Sequence, residues 1–402
     1  MSLKFTALEV GSGDAFLLED GDRKILFDSG GSKSKIVALL KKKGITKIDL
    51  AICSHNDKDH SNGFLGLLNS KIGIGEIWLP GTWASIIHSV AGFMRHGCYH
   101  DGDRCCWFDD FLDCRPSFVF DEERCRRYYD ELLSSGEEIP NDQLMEDLDC
   151  IKKALEDGCL EYCRRCKDNN PALFFPCYSR AEHHLQNYSK CFRETISKEK
   201  YHIGEHTAKL MIQLDTIINI AEAAFKKGVN IRWFKPTDAC ILKRVDTNII
   251  ALNSYGLAKV VRVSRIDNPH MLMFALTLTM ENKYSLAMEY LYDDIPVVRF
   301  SADADCKCQS RQPYQQNIIV TAPHHGSEAN KDVYGAIENS NVIWVRSDGM
   351  ASKRPCNDYK SLPNKFCLAC HTLKFKSEIC FEYDAITKLW LYKTGTRCIC
   401  KP

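Results

Sequence analysis

The sequence predicts an α/β chain whose sheet-forming parts are separated by a long helical, cysteine-rich insertion. Three observations predict it. Short apolar strands alternate with helices over the first 85 residues, the pattern turns helical, charged and Cys-rich after Trp83, and strand-like runs return from Ala239 onward. The chain therefore divides into 1–85, 86–238 and 239–402, the last part ending in a Cys-rich tail. A length of 402 residues is enough for one large domain carrying an insertion.

Residues 3–10 and 15–19 read as strands flanking the turn Gly11-Ser12-Gly13-Asp14. Residues 23–27 form a third, reached through the tight turn Asp20-Gly21-Asp22. Residues 33–43 read as a helix with a basic last turn, which Gly44 stops. An apolar strand follows at 48–53, a helix at 62–69 and a strand at 76–79. The insertion is poor in β-branched runs, and acidic residues outnumber basic ones over 86–205. Beyond it, 249–252, 258–263, 271–280, 285–291, 297–301, 318–321 and 342–346 read as strands. A helix is expected over 332–339, and a closing hairpin pairs 379–383 with 389–392.

Formal net charge is zero, so no overall basic field argues for nucleic acid. No apolar run reaches membrane-spanning length, and residues 1–16 lack the basic-then-apolar order of a signal peptide. A cytoplasmic protein with no membrane association is the expectation. In that reducing setting the 21 cysteines read as thiols or metal ligands rather than disulfides.

The segment Ser54-His55-Asn56-Asp57-Lys58-Asp59-His60 leaves the apolar strand 48–53. It offers four metal-ligating side chains, His55, Asp57, Asp59 and His60. His55 and Asp57, two apart, face the same side at a strand end, and Asp59 and His60 fall in the turn before a helix. Three other strands also end in such residues: Phe27-Asp28-Ser29-Gly30-Gly31, Phe300-Ser301-Ala302-Asp303-Ala304-Asp305, and Ala322-Pro323-His324-His325-Gly326-Ser327. Strand-end Asp, H-x-D-x-D-H, strand-end Asp and strand-end His is the ligand order of the metallo-β-lactamase fold, which the chain resembles.

The finer likeness is to the metallo-β-lactamase domain of ComEC-type competence proteins. Glu9 to Ala15 resembles its D-V-G-Q-G-D-A start, and Ser54 to Gly63 carries its S-H-x-D-x-D-H-x-x-G pattern. Asn282 to Ser285, Phe300 to Ala304 and His324 to Ser327 resemble its N-x-x-S-L, L-L-T-G-D-A and H-H-G-S segments. The likeness covers about 1–80 and 275–350.

The resemblance implies an αββα sandwich with one or two divalent metal ions, Zn²⁺ or Mn²⁺. His55, Asp57, Asp59 and His60 would be ligands and Asp303 would bridge, with Asp305 as the alternative. His324 is read as completing the second site and His325 as the substrate-facing acid, the reverse assignment staying open. Asp28 would orient the loop of ligands, and Asp59, His325 and Asp28 form the catalytic set. Asp14 is either near the metals or a turn residue satisfying its own backbone. One departure is notable: no motif histidine stands between His60 and Asp303, where Asn282 and Ser285 occur and His270 reads as a loop residue. The resulting carboxylate-rich site favours oxygen-loving ions.

The implied reaction is metal-dependent hydrolysis of a phosphodiester, with nucleic acid or a nucleotide as substrate. The alternatives are a small-molecule esterase or lactonase, and a metal-binding regulatory subunit with little activity. The interval between Asp303 and His324 is too short for a β-CASP module or a ribonuclease Z arm. The insertion instead offers a lid or a surface for a protein partner, too acidic for a non-specific DNA clamp. Arg124, Arg126, Arg127, Arg164 and Arg165 read as solvated helix faces. Additional structural Zn²⁺ is offered by three cysteine sets: Cys159, Cys163, Cys166 and Cys177; Cys98, Cys105, Cys106 and Cys114 with His96 or His100; and Cys356, Cys367 and Cys370 with His371. Buried apolar thiols are the alternative. Cys367-Leu368-Ala369-Cys370-His371 also fits a haem-attachment pattern, set aside because attachment belongs outside the cytoplasm. Cys398 and Cys400 read as free tail thiols.

Overall fold

The computed structural model describes residues 2–97, 138–139, 142–151, 201–237, 240–256, 260–261, 284–305, 317–337, 341–348, 354–368, 378–395 and 397–400. The chain divides into two compact units. One comprises Met1–Trp83, Asn219–Ala258 and Leu278–Pro402, and the other Ala84–Ile218 and Lys259–Thr277.

The first unit holds two large sheets. One contains β1 (Leu3–Ala7), β2 (Phe16–Asp20), β3 (Arg23–Phe27), β4 (Lys47–Ile52), β5 (Gly73–Pro80), β6 (Asn230–Pro236), β9 (Ser254–Gly256), β15 (Ile379–Asp384) and β16 (Leu389–Thr394). Its order is β9-β6-β5-β4-β3-β2-β1-β15-β16. The run β3-β4-β5-β6 is parallel and β15-β1-β2-β3 antiparallel. The other sheet contains β7 (Lys243–Asp246), β8 (Ile249–Ala251), β10 (Met288–Tyr292), β11 (Ile295–Phe300), β12 (Ile318–Thr321), β13 (Val342–Arg346) and β14 (Lys365–Cys367). Its order is β14-β13-β12-β11-β10-β8-β7, with β11 to β14 parallel.

Side chains alternate across each strand, so every strand sends half its apolar residues inward. Leu3, Phe5, Phe16, Leu18, Ile25 and Phe27 of the first sheet meet Met288, Val298, Phe300, Ile319 and Val345 of the second in one core. Phe27 stacks on Phe300 with ring centroids 4.7 Å apart. Helices α1 (Lys33–Lys42) and α2 (Lys58–Leu68) bury Ile36, Leu40, Phe64 and Leu67. On the far face of the second sheet, α3 (Asp332–Ala336) and α4 (Asn357–Ser361) contribute Val333, Tyr334 and Tyr359 to a separate core with Val320 and Trp344. Two apposed sheets with helices outside is the layering the αββα expectation describes.

In the second unit the described parts are helical apart from the two-residue ladder of Glu138–Ile139 against Val260–Val261. Ile86, Ile87 and Val90 are buried there, as are Leu144, Leu148 and Ile151 of the helix over 142–151. His88 Nδ1 lies 2.6 Å from Asp147 Oδ2.

Three differences from the sequence expectations have physical reasons. The helix expected at 62–69 begins four residues earlier, at Lys58, with Asp57 at its N-cap. An acidic N-cap and Asp59 in the first turn suit the partial positive charge of a helix start. Second, Asn230–Pro236 falls within 86–238 yet pairs in parallel with β5. Third, the short strands β7, β9 and β14 carry too few alternating residues to register as strands. The strand expected at 271–280, His270, Asn282, Cys370, His371, the Arg clusters, and all cysteines of the two insertion sets lie outside the described residues. Among the described residues no helix is long and apolar enough to cross a membrane.

Candidate metal centre

The centre is assembled from turns at strand ends. Asp28 follows β3 in the left-handed region, φ 56, and is fully buried. That conformation turns its carboxylate toward the loop after β4. Ser54 N–H and Ser54 Oγ–H donate to its two oxygens, both at 2.8 Å, and His60 Nδ1–H donates to Oδ2, also at 2.8 Å. Because Ser54 Oγ spends its proton on Asp28, it accepts from His55 Nδ1–H at 2.9 Å. One carboxylate thus fixes the tautomer of both histidines and leaves each Nε2 with a lone pair.

The turn Gly11–Asp14 packs under this loop. Gly13 has φ +85, and a Cβ there would come 1.6 Å from Asp59 O, so the backbone approach requires glycine. Asp14 N–H donates to Asp59 O at 3.1 Å. Asp14 Oδ1 and the carbonyl of Ser347 take the Nδ1–H of His325 at 3.1 and 2.9 Å. Ser347 Oγ–H in turn donates to Gly13 O at 2.7 Å, tying the first turn to the loop after β13.

His324, His325 and Gly326 take three successive left-handed conformations, φ 46, 53 and 83. Such strain persists only where neighbours over-determine it. Here His324 N–H donates to Ala302 O (2.8 Å), Cys356 N–H to Gly326 O (2.8 Å), and the buried Arg346 Nε–H to His325 O (2.6 Å).

These supports bring six side chains together. Asp303 stands between two groups. Its Oδ1 lies 3.2 Å from His60 Nε2 and 3.8 Å from His325 Nε2, and its Oδ2 lies 3.8 Å from His55 Nε2. Asp59 Oδ2 is 3.2 Å from His325 Nε2, and Asp57 Oδ2 is 3.7 Å from His55 Nε2. Asp303 therefore faces His55 and Asp57 with one oxygen, and His60, His325 and Asp59 with the other.

Both of the paired histidines stand near Asp303, and they differ in burial. His325 is 1 % exposed and points into the cluster, while the His324 side chain is 25 % exposed with Nε2 3.6 Å from Asp303 Oδ2. Arg346 and Ser347 carry no ligand motif in the sequence, and their signal is that Arg346-Ser347-Asp348 is another polar strand end. Asp14 acts through His325 rather than serving only its own turn.

The donor set suits a cation. His60 Nε2 and His325 Nε2 lie 3.0 Å apart, and each ring already donates through Nδ1. Two lone pairs facing at that distance repel unless a proton or metal lies between them. Among the described residues the buried Nε2 of His55 has no hydrogen-bond partner. Burial alone would raise the Asp303 carboxyl, but the imidazoles of His60 and His325 hold it well below the carboxylate range. Desolvation opposes charge on His60 and His325, yet Asp303 and Asp28 around one, and Asp14 and Asp303 around the other, push both well above the ordinary imidazole value. Asp14 is raised by its burial, and His324 is lowered by its burial. A site that draws protons this strongly onto nitrogen draws a divalent ion by the same field.

Residues 8–78 match the family model of the metallo-beta-lactamase superfamily. The matched span contains Asp14, Asp28 and the whole His55–His60 segment. No curated protein matches the chain. Members of that superfamily are mostly metal-dependent hydrolases, and the match supports the fold and that general chemistry for this chain.

Proposed function

We propose that the chain is a metal-dependent hydrolase of phosphodiester bonds, acting on nucleic acid or a nucleotide. What carries the reading is the convergence of three imidazole Nε2 atoms and the carboxylates of Asp57 and Asp59 on the two oxygens of Asp303. His55, Asp57 and Asp303 would hold one divalent ion, and Asp59, His60, His325 and Asp303 a second. Ions bound there supply Lewis acidity and lower the pKa of a water, making hydroxide available near neutral pH.

The protein groups have separate tasks. Asp28 and Asp14 keep Nδ1 of His60 and His325 protonated, so that Nε2 presents its lone pair. Asp57, Asp59 and Asp303 are anionic oxygen donors, a composition that suits Mn²⁺ or Zn²⁺ and hard oxygen ligands. With one divalent ion these carboxylates leave the centre anionic, and with two they leave it cationic. An anionic phosphodiester requires the second state. His324, at the exposed side of Asp303, would face the substrate, the position the sequence reading favours for His325.

The chelator-stripped chain should lose turnover of bis-p-nitrophenyl phosphate and regain it with Mn²⁺ or Zn²⁺. Asp59→Ala and His60→Ala should each lower turnover at least about 10³-fold, and His324→Ala about 10²-fold with metal content retained. Turnover of a carboxyl ester or lactone, with none of the diester, would overturn the assignment.

A further inference from the structure

We propose that Cys367, Cys398 and Cys400 form a separate structural site for a thiophilic divalent ion, Zn²⁺ by its chemistry. Their three sulfur atoms lie within 4.8 Å of one another. A Zn–S bond of about 2.3 Å places two sulfurs of a tetrahedron roughly 3.8 Å apart, so small side-chain adjustments would bring all three sulfurs onto one ion as three corners of a tetrahedron. Cys367 ends β14 and is 1 % exposed; Cys398 is 9 % exposed and Cys400 half-buried. The tail is held in place by its backbone: Phe366 bridges Arg397, and Cys398 N–H donates to Lys365 O at 2.9 Å. Cys398 and Cys400, two residues apart in extended chain, face the same side. This set departs from the Cys356, Cys367, Cys370 and His371 grouping suggested by sequence spacing.

A second observation points the same way. The buried guanidinium of Arg346 reaches Cys367 Sγ with Nη1 at 2.9 Å. A cation at that position favours thiolate. Binding forms three S–M bonds and releases three protons, giving a unit of net charge −1 that Arg346 balances. Asp348 also accepts from Arg346, at 2.8 Å, but shares its charge with Arg354 at 3.5 Å. Because Arg346 Nε holds the carbonyl of His325, the thiol site lies directly behind the strained histidine turn.

The test uses the full-length chain, purified under reducing conditions and loaded with Co²⁺. A thiolate-to-cobalt charge-transfer absorption is expected, weakened by Cys400→Ser and by Cys398→Ser but not by His55→Ala. Zn²⁺ loading of the unmutated protein should slow alkylation of Cys398 and Cys400 about ten-fold or more, reversed by chelator. The proposal is overturned if the absorption is absent or indifferent to both serine variants. It is equally overturned if Zn²⁺ leaves both alkylation rates unchanged, or if any two of the three cysteines are found joined in a disulfide.

Discussion

Asp28 touches none of the atoms that would meet a metal, yet Ser54 N–H, Ser54 Oγ–H and His60 Nδ1–H all converge on it. An amide in its place keeps the shape but offers one acceptor oxygen instead of two and presents N–H to a neighbour that is itself a donor. Asp28→Asn should therefore release the tautomer of His60 and, through Ser54, that of His55. Metal affinity is expected to fall about 10–100-fold, measured by competition with a chromophoric chelator, while the far-ultraviolet dichroism stays unchanged. Unaltered affinity would mean that Asp28 serves the backbone of Ser54 alone. The different burial of His324 and His325 belongs to the same scale. They are adjacent and both lie in the left-handed region, where neither strand alternation nor helical periodicity says which ring points inward.

The turn Gly11–Asp14 and helix α2 meet so closely that Gly13 leaves no room for a Cβ. Gly13→Ala would impose both a left-handed alanine and a clash with the backbone at Asp59. An expected cost of about 1–3 kcal/mol from backbone strain, read as a lowered unfolding midpoint, should come with weaker metal retention. A variant with the native midpoint and full metal content would show that the turn can move away. Elements like this one explain what the sequence disclosed. Candidate site residues at strand ends follow the apolar runs that precede them, so Asp28, His55–His60, Asp303 and the paired histidines are legible in order. Asp59 and His60 read as a turn because Lys58–Ser61 has no apolar periodicity; their helix begins at Lys58, where the partial positive charge of the helix start favours the carboxylates of Asp57 and Asp59. The strands Lys243–Asp246 and Lys365–Cys367 owe their pairing to neighbouring strands rather than to their own patterns. Cys398 and Cys400 looked like loose tail thiols because their meeting with Cys367 depends on a strand pairing that spacing does not encode.

At the scale of the whole sandwich, the centre spans both halves of the β-layered unit, so its geometry depends on the sheets staying apposed. The apolar core that the two sheets share, with Phe27 stacked on Phe300, does this through burial, which is insensitive to pH. Two polar clasps add to it at the hairpin between β2 and β3. Tyr290 Oη–H donates to Asp20 Oδ2 at 2.6 Å, and Arg23 forms a two-pronged pair with Asp246 at 2.9 and 3.0 Å. Burial would raise the Asp246 carboxyl, but the Arg23 hydrogen bond, the Asn248 N–H and the charges of Arg23 and Arg232 together outweigh it, and the net shift is downward. A carboxyl lowered in the folded state binds fewer protons there than in the unfolded chain, so its contribution rises with pH. It is complete above the ordinary carboxylate pKa of about 3.9, and it is lost as pH falls through the folded value. Asp246→Asn should therefore lower the unfolding midpoint at pH 7 by a few degrees at most, since the pair is partly exposed. The gap between variant and unmutated protein should narrow as the pH is taken below the ordinary carboxylate value of about 3.9. A gap that stays constant across that range would assign the loss to packing at Asp246 and remove the ion pair from the forces that hold the two sheets together.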